Sequence, residues 1–158
     1  MRGRAAVSSM LHAVMPRQWP PPVFEPDDVA RVHRQLTAAP WASQWTLYYI
    51  LGRPVSGAER PALIGIAGYV SPPSFDGVIE IGYAIAAEHQ RRGYATEAVA
   101  ALLTRAFADS RVRVVVATTY STLLPSIRVL QKTGFVEVAR DPATNLVKFE
   151  CRLPPPSQ

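Results

Sequence analysis

The chain has 158 residues, 48% of them hydrophobic, and a formal net charge of +5. That length predicts one domain with a core of useful size, and the composition is that of an ordinary soluble globular chain. No apolar run reaches the roughly 18 residues of a membrane span, and neither a block of like charge nor an aromatic-basic repeat marks a nucleic-acid groove. The single cysteine, Cys151, forms no internal disulfide and suits a reducing compartment, with the cytoplasm as the expected location.

The start, "MRGRAAVSSMLHAVM", contains arginine, lacks acids and is faintly amphipathic. Its composition is that of a transit peptide, but it is short and runs into "PRQWPPP", so residues 1–18 read as a disordered arm ahead of one domain over 19–153. "PDDVARVHRQLTAAP" reads as a short helix. Asp27 or Asp28 can cap it, Val29, Val32 and Leu36 share a face, and Pro40 follows its end. "WTLYYILG" and "ALIGIAGYV" read as adjacent strands, and Val78–Ile85 as a third. A long helix starts at Tyr94, with Ala95, Ala98, Val99, Leu102, Leu103, Ala106 and Phe107 on one face. "RVRVVVATTY" is a strand whose Val114–Val116 run predicts burial on both faces. "LPSIRVLQKTG" is a second amphipathic helix, with Gly134 suited to its C-cap. "FVEVAR" and "LVKFECRL" form a hairpin, and "PPPSQ" is a disordered tail. The order predicts a mixed α/β chain with a central sheet. Trp41, Trp45, Tyr48 and Tyr49 form an aromatic cluster assigned to core packing. His12, His33 and His89 are too scattered for a metal site, so no metal is expected.

The densest positive charge, Arg91–Arg92, stands beside Gly93 at the mouth of the long helix. A helix start offers unpaired N–H groups and the positive end of the macrodipole, which together favour an anion such as phosphate. Glycine lets a bulky anion approach the backbone, and guanidinium forks match phosphate oxygens. A solvated basic loop explains the local residues equally well. The P-loop is excluded because no Gly-Lys-Ser/Thr opens the helix, and the dinucleotide fingerprint because only one of its glycines is present.

"QRRGYA", Gln90–Ala95, resembles the Q/R-x-x-G-x-G/A pyrophosphate loop of the GCN5-related N-acetyltransferases. "E-I-G-Y" at Glu80–Tyr83, "G-Y-A-T-E-A" at Gly93–Ala98 and "S-I-R-V-L-Q-K-T-G-F" at Ser126–Phe135 are similar to the branch of ribosomal-protein N-terminal acetyltransferases. The resemblance runs from about Ile64 to Arg140. It implies a mostly antiparallel sheet with a splayed strand pair and flanking helices. It also implies acetyl-coenzyme A as co-substrate. Gln90, Arg91, Arg92, Gly93, Tyr94, Ala95 and Thr96 would hold its pyrophosphate, and the backbone of Tyr83, Ala84 and Ile85 its pantetheine arm and thioester.

Strand alternation puts Val78, Glu80, Gly82 and Ala84 on one face and Ile79, Ile81, Tyr83 and Ile85 on the other. A carboxylate among small residues suits a general base in an acceptor cleft; a solvent-facing glutamate is the alternative. The family's last-helix tyrosine falls on Leu130, its asparagine on Leu123 and a second glutamate on Thr118. Ser126 matches the serine used in the ribosomal-protein branch as general acid, and a backbone-capping role competes with that. The family's first strand has no counterpart before Asp27. The expected activity is acetyl transfer to a primary amine of a small molecule or a protein N-terminus, with no membrane or nucleic-acid partner and with a homodimer as a compatible assembly. A non-catalytic acyl-coenzyme A sensor and a basic nucleic-acid-binding module are the other function classes.

Overall fold

Six strands build one sheet in the computed structural model, which describes residues 4–21, 26–54 and 59–153, the side chains of 26–29, 35 and 41 excepted. The tail 154–158 and the side chains at Asp27, Asp28 and Val29 therefore lie outside the described residues. The elements in order are α1 (Arg4–Leu11), α2 (Pro26–Ala38), β1 (Leu47–Leu51), β2 (Leu63–Tyr69), β3 (Val78–Ile85), α3 (Tyr94–Phe107), β4 (Val114–Tyr120), α4 (Leu124–Lys132), β5 (Val136–Asp141) and β6 (Leu146–Arg152). From α2 onward this is the order the sequence predicts. Short 3-10 turns cover Pro40–Trp45 and Ala87–His89.

The strands lie in the order β1-β2-β3-β4-β6-β5. All neighbours are antiparallel except β3 and β4. That one parallel pair follows from the helical crossover through α3. Side chains of paired residues share a face, so Tyr48, Ala67, Tyr69, Ile79, Ile81, Tyr83, Val115, Ala117, Val147 and Phe149 face one way. There α3 and α4 cover them with Val99, Leu102, Ala106 and Leu130, and Phe135 closes the core. The inner face predicted for α3 is thus the observed one, with Val99, Leu102 and Ala106 buried and Ala98, Leu103 and Phe107 packed against the core. Val114 to Ala117 are all buried, as their unbroken apolar run requires.

β2 is buried along its whole length, because the α3 face and the opposite face are both covered. Gly65 lets β3 lie close beside it: a Cβ there would collide with the carbonyl oxygen of Ala84 on β3. The Tyr69 hydroxyl donates to the Leu102 carbonyl at 2.7 Å, tying β2 to α3 inside the core.

The arm before α2 corrects the expectation of disorder. Arg4–Leu11 is helical, and Ala13, Pro16 and Pro21 are fully buried. The Arg4 guanidinium donates to the carbonyls of Pro16 and Arg17 at 2.6 and 3.2 Å, and Ser8 Oγ to that of Ala13 at 2.7 Å. Where the family's first strand is missing, one parallel bridge joins Val14 to Ala62. The aromatic cluster also separates. Trp45 is buried against Tyr69 with ring centroids 5.1 Å apart. Tyr48 and Tyr49 are neighbours in β1, so they point to opposite faces. Tyr48 lies under the Arg105 guanidinium at 5.7 Å, and Tyr49 meets Trp19 at 6.2 Å.

Candidate active site

β3 and β4 pair only from Val78–Val114 to Glu80–Val116. Beyond that, Ile81 to Ile85 keep β2 as partner while Ala117 to Tyr120 keep β6. The two strands part, and a cleft opens between them towards their C-terminal ends. This is the splayed pair that the family resemblance implies. The starts of α3 and α4 both follow this end of the sheet.

The loop from β3 to α3 shapes one end of the cleft. Gln90 Nε2 donates to the Ile85 carbonyl at 3.1 Å, which folds the loop back onto the strand. Arg91 at φ 59° and Gly93 at φ 87° are both left-handed, a conformation open to glycine and unfavourable for arginine. Gly93 is the N-cap of α3 and gives it no side-chain cap. The first helical bond runs from Glu97 N–H to the Gly93 carbonyl at 3.0 Å. Among the described residues, the N–H groups of Arg91 to Thr96 have no hydrogen-bond partner. A Cβ at Gly93 would meet nothing within 4 Å. Together with the exposed Arg91 and Arg92 side chains, these features fit a polyphosphate. His89 stands just ahead, its Nδ1 buried without a partner and its Nε2 3.9 Å from Glu88. Glu88 also accepts from the Arg17 N–H at 2.9 Å, anchoring the N-terminal arm beside the loop.

Glu80 lies at the last paired position before the strands separate. It is half-buried, on the face away from α3, and Gly82 beside it is exposed. Ala84 on the same face is buried, so the small-residue floor is open only around Glu80 and Gly82. Thr118, which stands where a second glutamate occurs in the family, donates its hydroxyl to Glu80 Oε1 at 3.1 Å. Among the described residues, Glu80 Oε2 has no hydrogen bond or ion pair.

Ser126 sits in the first turn of α4, behind the N-cap Leu123 and Pro125. Its hydroxyl does not cap the helix. It meets the Tyr83 hydroxyl at 2.9 Å, and the same phenol donates to the Ser126 carbonyl at 3.1 Å. Burial pushes the Tyr83 phenol up from its ordinary pKa, against the smaller lowering effect of the Ser126 hydrogen bond. The family resemblance singles out Tyr83 for its backbone only and does not foresee this side-chain contact. A hydroxyl on the Ile79–Ile81–Ile85 face was the available signal, since a buried phenol takes a partner. Leu130, where the family's tyrosine would stand, is 1% exposed and belongs to the core. The structure therefore brings Tyr83 to Ser126 across the cleft and sets Glu80 on the opposite face of β3. No group of three metal-ligating side chains occurs among the described residues.

Comparison with known proteins defines the class: residues 6–136 match the Acetyltransferase (GNAT) domain, and the chain belongs to that family. It is 34% identical over 74 residues to the uncharacterized N-acetyltransferase YjdG of Bacillus subtilis (strain 168), a match covering 47% of this chain and 44% of that protein. The matched segment thus spans less than half of that relative. The spermidine N-acetyltransferase SpeG of Vibrio cholerae superposes with a TM-score of 0.59 at 13% identity, over 78% of this chain and 74% of that one. The acetyltransferase yncA of Salmonella typhimurium, described as putative and solved with acetyl-CoA, gives 0.55 at 23% identity over 61% and 62%. At those identities the two structures speak for the fold alone.

Proposed function

We propose that this chain transfers the acetyl group of acetyl-coenzyme A to a primary amine by direct attack. The observation that carries the proposal is the row of unpartnered N–H groups from Arg91 to Thr96, opening onto free space at Gly93. Gln90, Arg91, Arg92, Gly93, Tyr94, Ala95 and Thr96 are assigned to the pyrophosphate, which N–H groups at a helix start and paired guanidinium forks favour. The backbone of Tyr83, Ala84 and Ile85, past the last pair with β4, is assigned to the pantetheine arm and the thioester carbonyl. When bound, acetyl-coenzyme A supplies an acyl carbon activated as a thioester. Backbone N–H groups held in place along β3 polarise the carbonyl without reorganising. Glu80 takes the amine proton, directly or through one water. Thr118 fixes one of its oxygens and leaves the other for the amine. Ser126 stands for the leaving sulfur.

The acceptor is a protein N-terminal amine or a small-molecule amine. The blocks Glu80–Tyr83, Gly93–Ala98 and Ser126–Phe135 support the ribosomal-protein branch and hence an N-terminal amine. The lone Cys151 supports the cytoplasm as the compartment, and no helix among the described residues is long and apolar enough to cross a membrane. Calorimetry of coenzyme A binding tests the reading. The wild-type chain should bind, and Gly93→Glu should abolish binding, because it brings a negative charge and a left-handed non-glycine residue to the helix start. Unchanged affinity in a folded Gly93→Glu chain refutes the assignment.

A further inference from the structure

The phenol of Tyr83 and the hydroxyl of Ser126 bridge β3 and α4 at the place where β3 and β4 part. Each group carries one proton and can also accept. The Ser126 carbonyl, 3.1 Å from the phenol, can only accept. Two arrangements follow. In one, the phenol donates to the carbonyl and the serine proton is spent on the phenol oxygen. In the other, the phenol donates to Ser126 Oγ and the serine proton is free. We propose that Tyr83 is a positioning residue for Ser126: it donates to the serine oxygen and frees the serine hydroxyl to donate a hydrogen bond, without transferring its proton, to the sulfur that departs during acetyl transfer. The inference rests on the acetyl-transfer reading above.

Three observations carry it. Ser126 is the sole hydroxyl within α4, and the core position of Leu130 offers no phenol from that helix. Ser126 makes no capping bond, so its side chain is fixed by Tyr83 alone. The Tyr83 phenol stays protonated because burial disfavours its anion, which keeps it a donor throughout. A developing thiolate selects the second arrangement, since a charged acceptor outcompetes a neutral oxygen for the serine proton. Tyr83 then polarises the serine through a two-bond chain. No bond to oxygen breaks. The electron pair of the carbon–sulfur bond leaves on sulfur, which takes its proton from solvent after release.

The test reads the ionisation of bound coenzyme A by the ultraviolet absorbance of its thiolate, with affinity measured by calorimetry on the same samples. The bound thiol should ionise at lower pH than free coenzyme A. Tyr83→Phe, which keeps the ring, and Ser126→Ala should each move that ionisation back up by about one pH unit or more. Their double variant should move it no further than Ser126→Ala alone, and Ser126→Thr should retain the lowered ionisation. Affinity measured well below this ionisation, where the thiol is protonated both free and bound, should hold in all four, and only the affinity for the thiolate should fall. An unaltered ionisation in Tyr83→Phe, or additive effects in the double variant, overturns the inference while the cofactor reading stands. A wild-type chain that fails to bind coenzyme A overturns both.

Discussion

Glu80 and Tyr83 stand three residues apart on β3 and face opposite sides of the sheet. Glu80 is open to the solvent face with Thr118 on one oxygen, and Tyr83 is turned under the sheet towards Ser126. Alternation along the strand makes this division legible in the sequence. The sequence could not show that Thr118 is the partner of Glu80, because that contact depends on the register of two strands 38 positions apart. If Glu80 takes the amine proton, Glu80→Gln keeps the acceptor for Thr118 but lacks the basicity. Turnover near neutral pH should fall about 10²–10⁴-fold with coenzyme A affinity kept. The deficit should shrink at high pH, where the free amine needs no base. Wild-type turnover across the neutral range would reject Glu80 as the base.

At the scale of elements, helix periodicity and strand alternation read from the sequence recover the order from α2 to β6. They fail at α1, whose eight residues bury none of their own side chains. Its order comes from elsewhere: Arg4 bonds to the arm beyond it and Ala13 is buried. Tertiary support of that kind leaves no periodic trace. The closeness of β2 to β3 is also silent in the sequence, and it rests on Gly65. Gly65→Ala would drive a methyl group into the Ala84 carbonyl, where the methyl has no torsion to turn it away and the oxygen it meets belongs to the backbone. The expected cost is about 1–3 kcal/mol, read as a lower denaturation midpoint. It should come with weaker coenzyme A binding, because Ala84 is assigned to the thioester. A variant as stable as wild type would show that β2 can shift outward freely.

For the whole molecule, the core joins β2 to α3 through Tyr69. Burial, followed by its neighbour Tyr48, raises the Tyr69 phenol well above its ordinary pKa, and Arg105 opposes this. Tyr83 is raised as well, by burial. The folded state therefore binds these protons more tightly than the unfolded chain does. Their contribution is fully present below about pH 10, the unfolded tyrosine value, and is lost as pH rises towards the folded values. Tyr69→Phe should cost about 0.5–1.5 kcal/mol near neutral pH for the lost bond to Leu102, yet flatten the loss of stability above about pH 10. Denaturant midpoints that fall in parallel for variant and wild type would contradict this.

The activity proposed for this GNAT domain is acetyl transfer from acetyl-coenzyme A to an amine. The direct measurement is release of coenzyme A thiol from acetyl-coenzyme A in the presence of a panel of protein N-terminal peptides, polyamines and small amines. The account predicts amine-dependent release by the wild-type chain, with the acetyl group recovered as an amide and the rate sharply reduced in Glu80→Gln. Binding of acetyl-coenzyme A with no release above the amine-free rate for any acceptor would contradict it, and would make the chain an acyl-coenzyme A sensor.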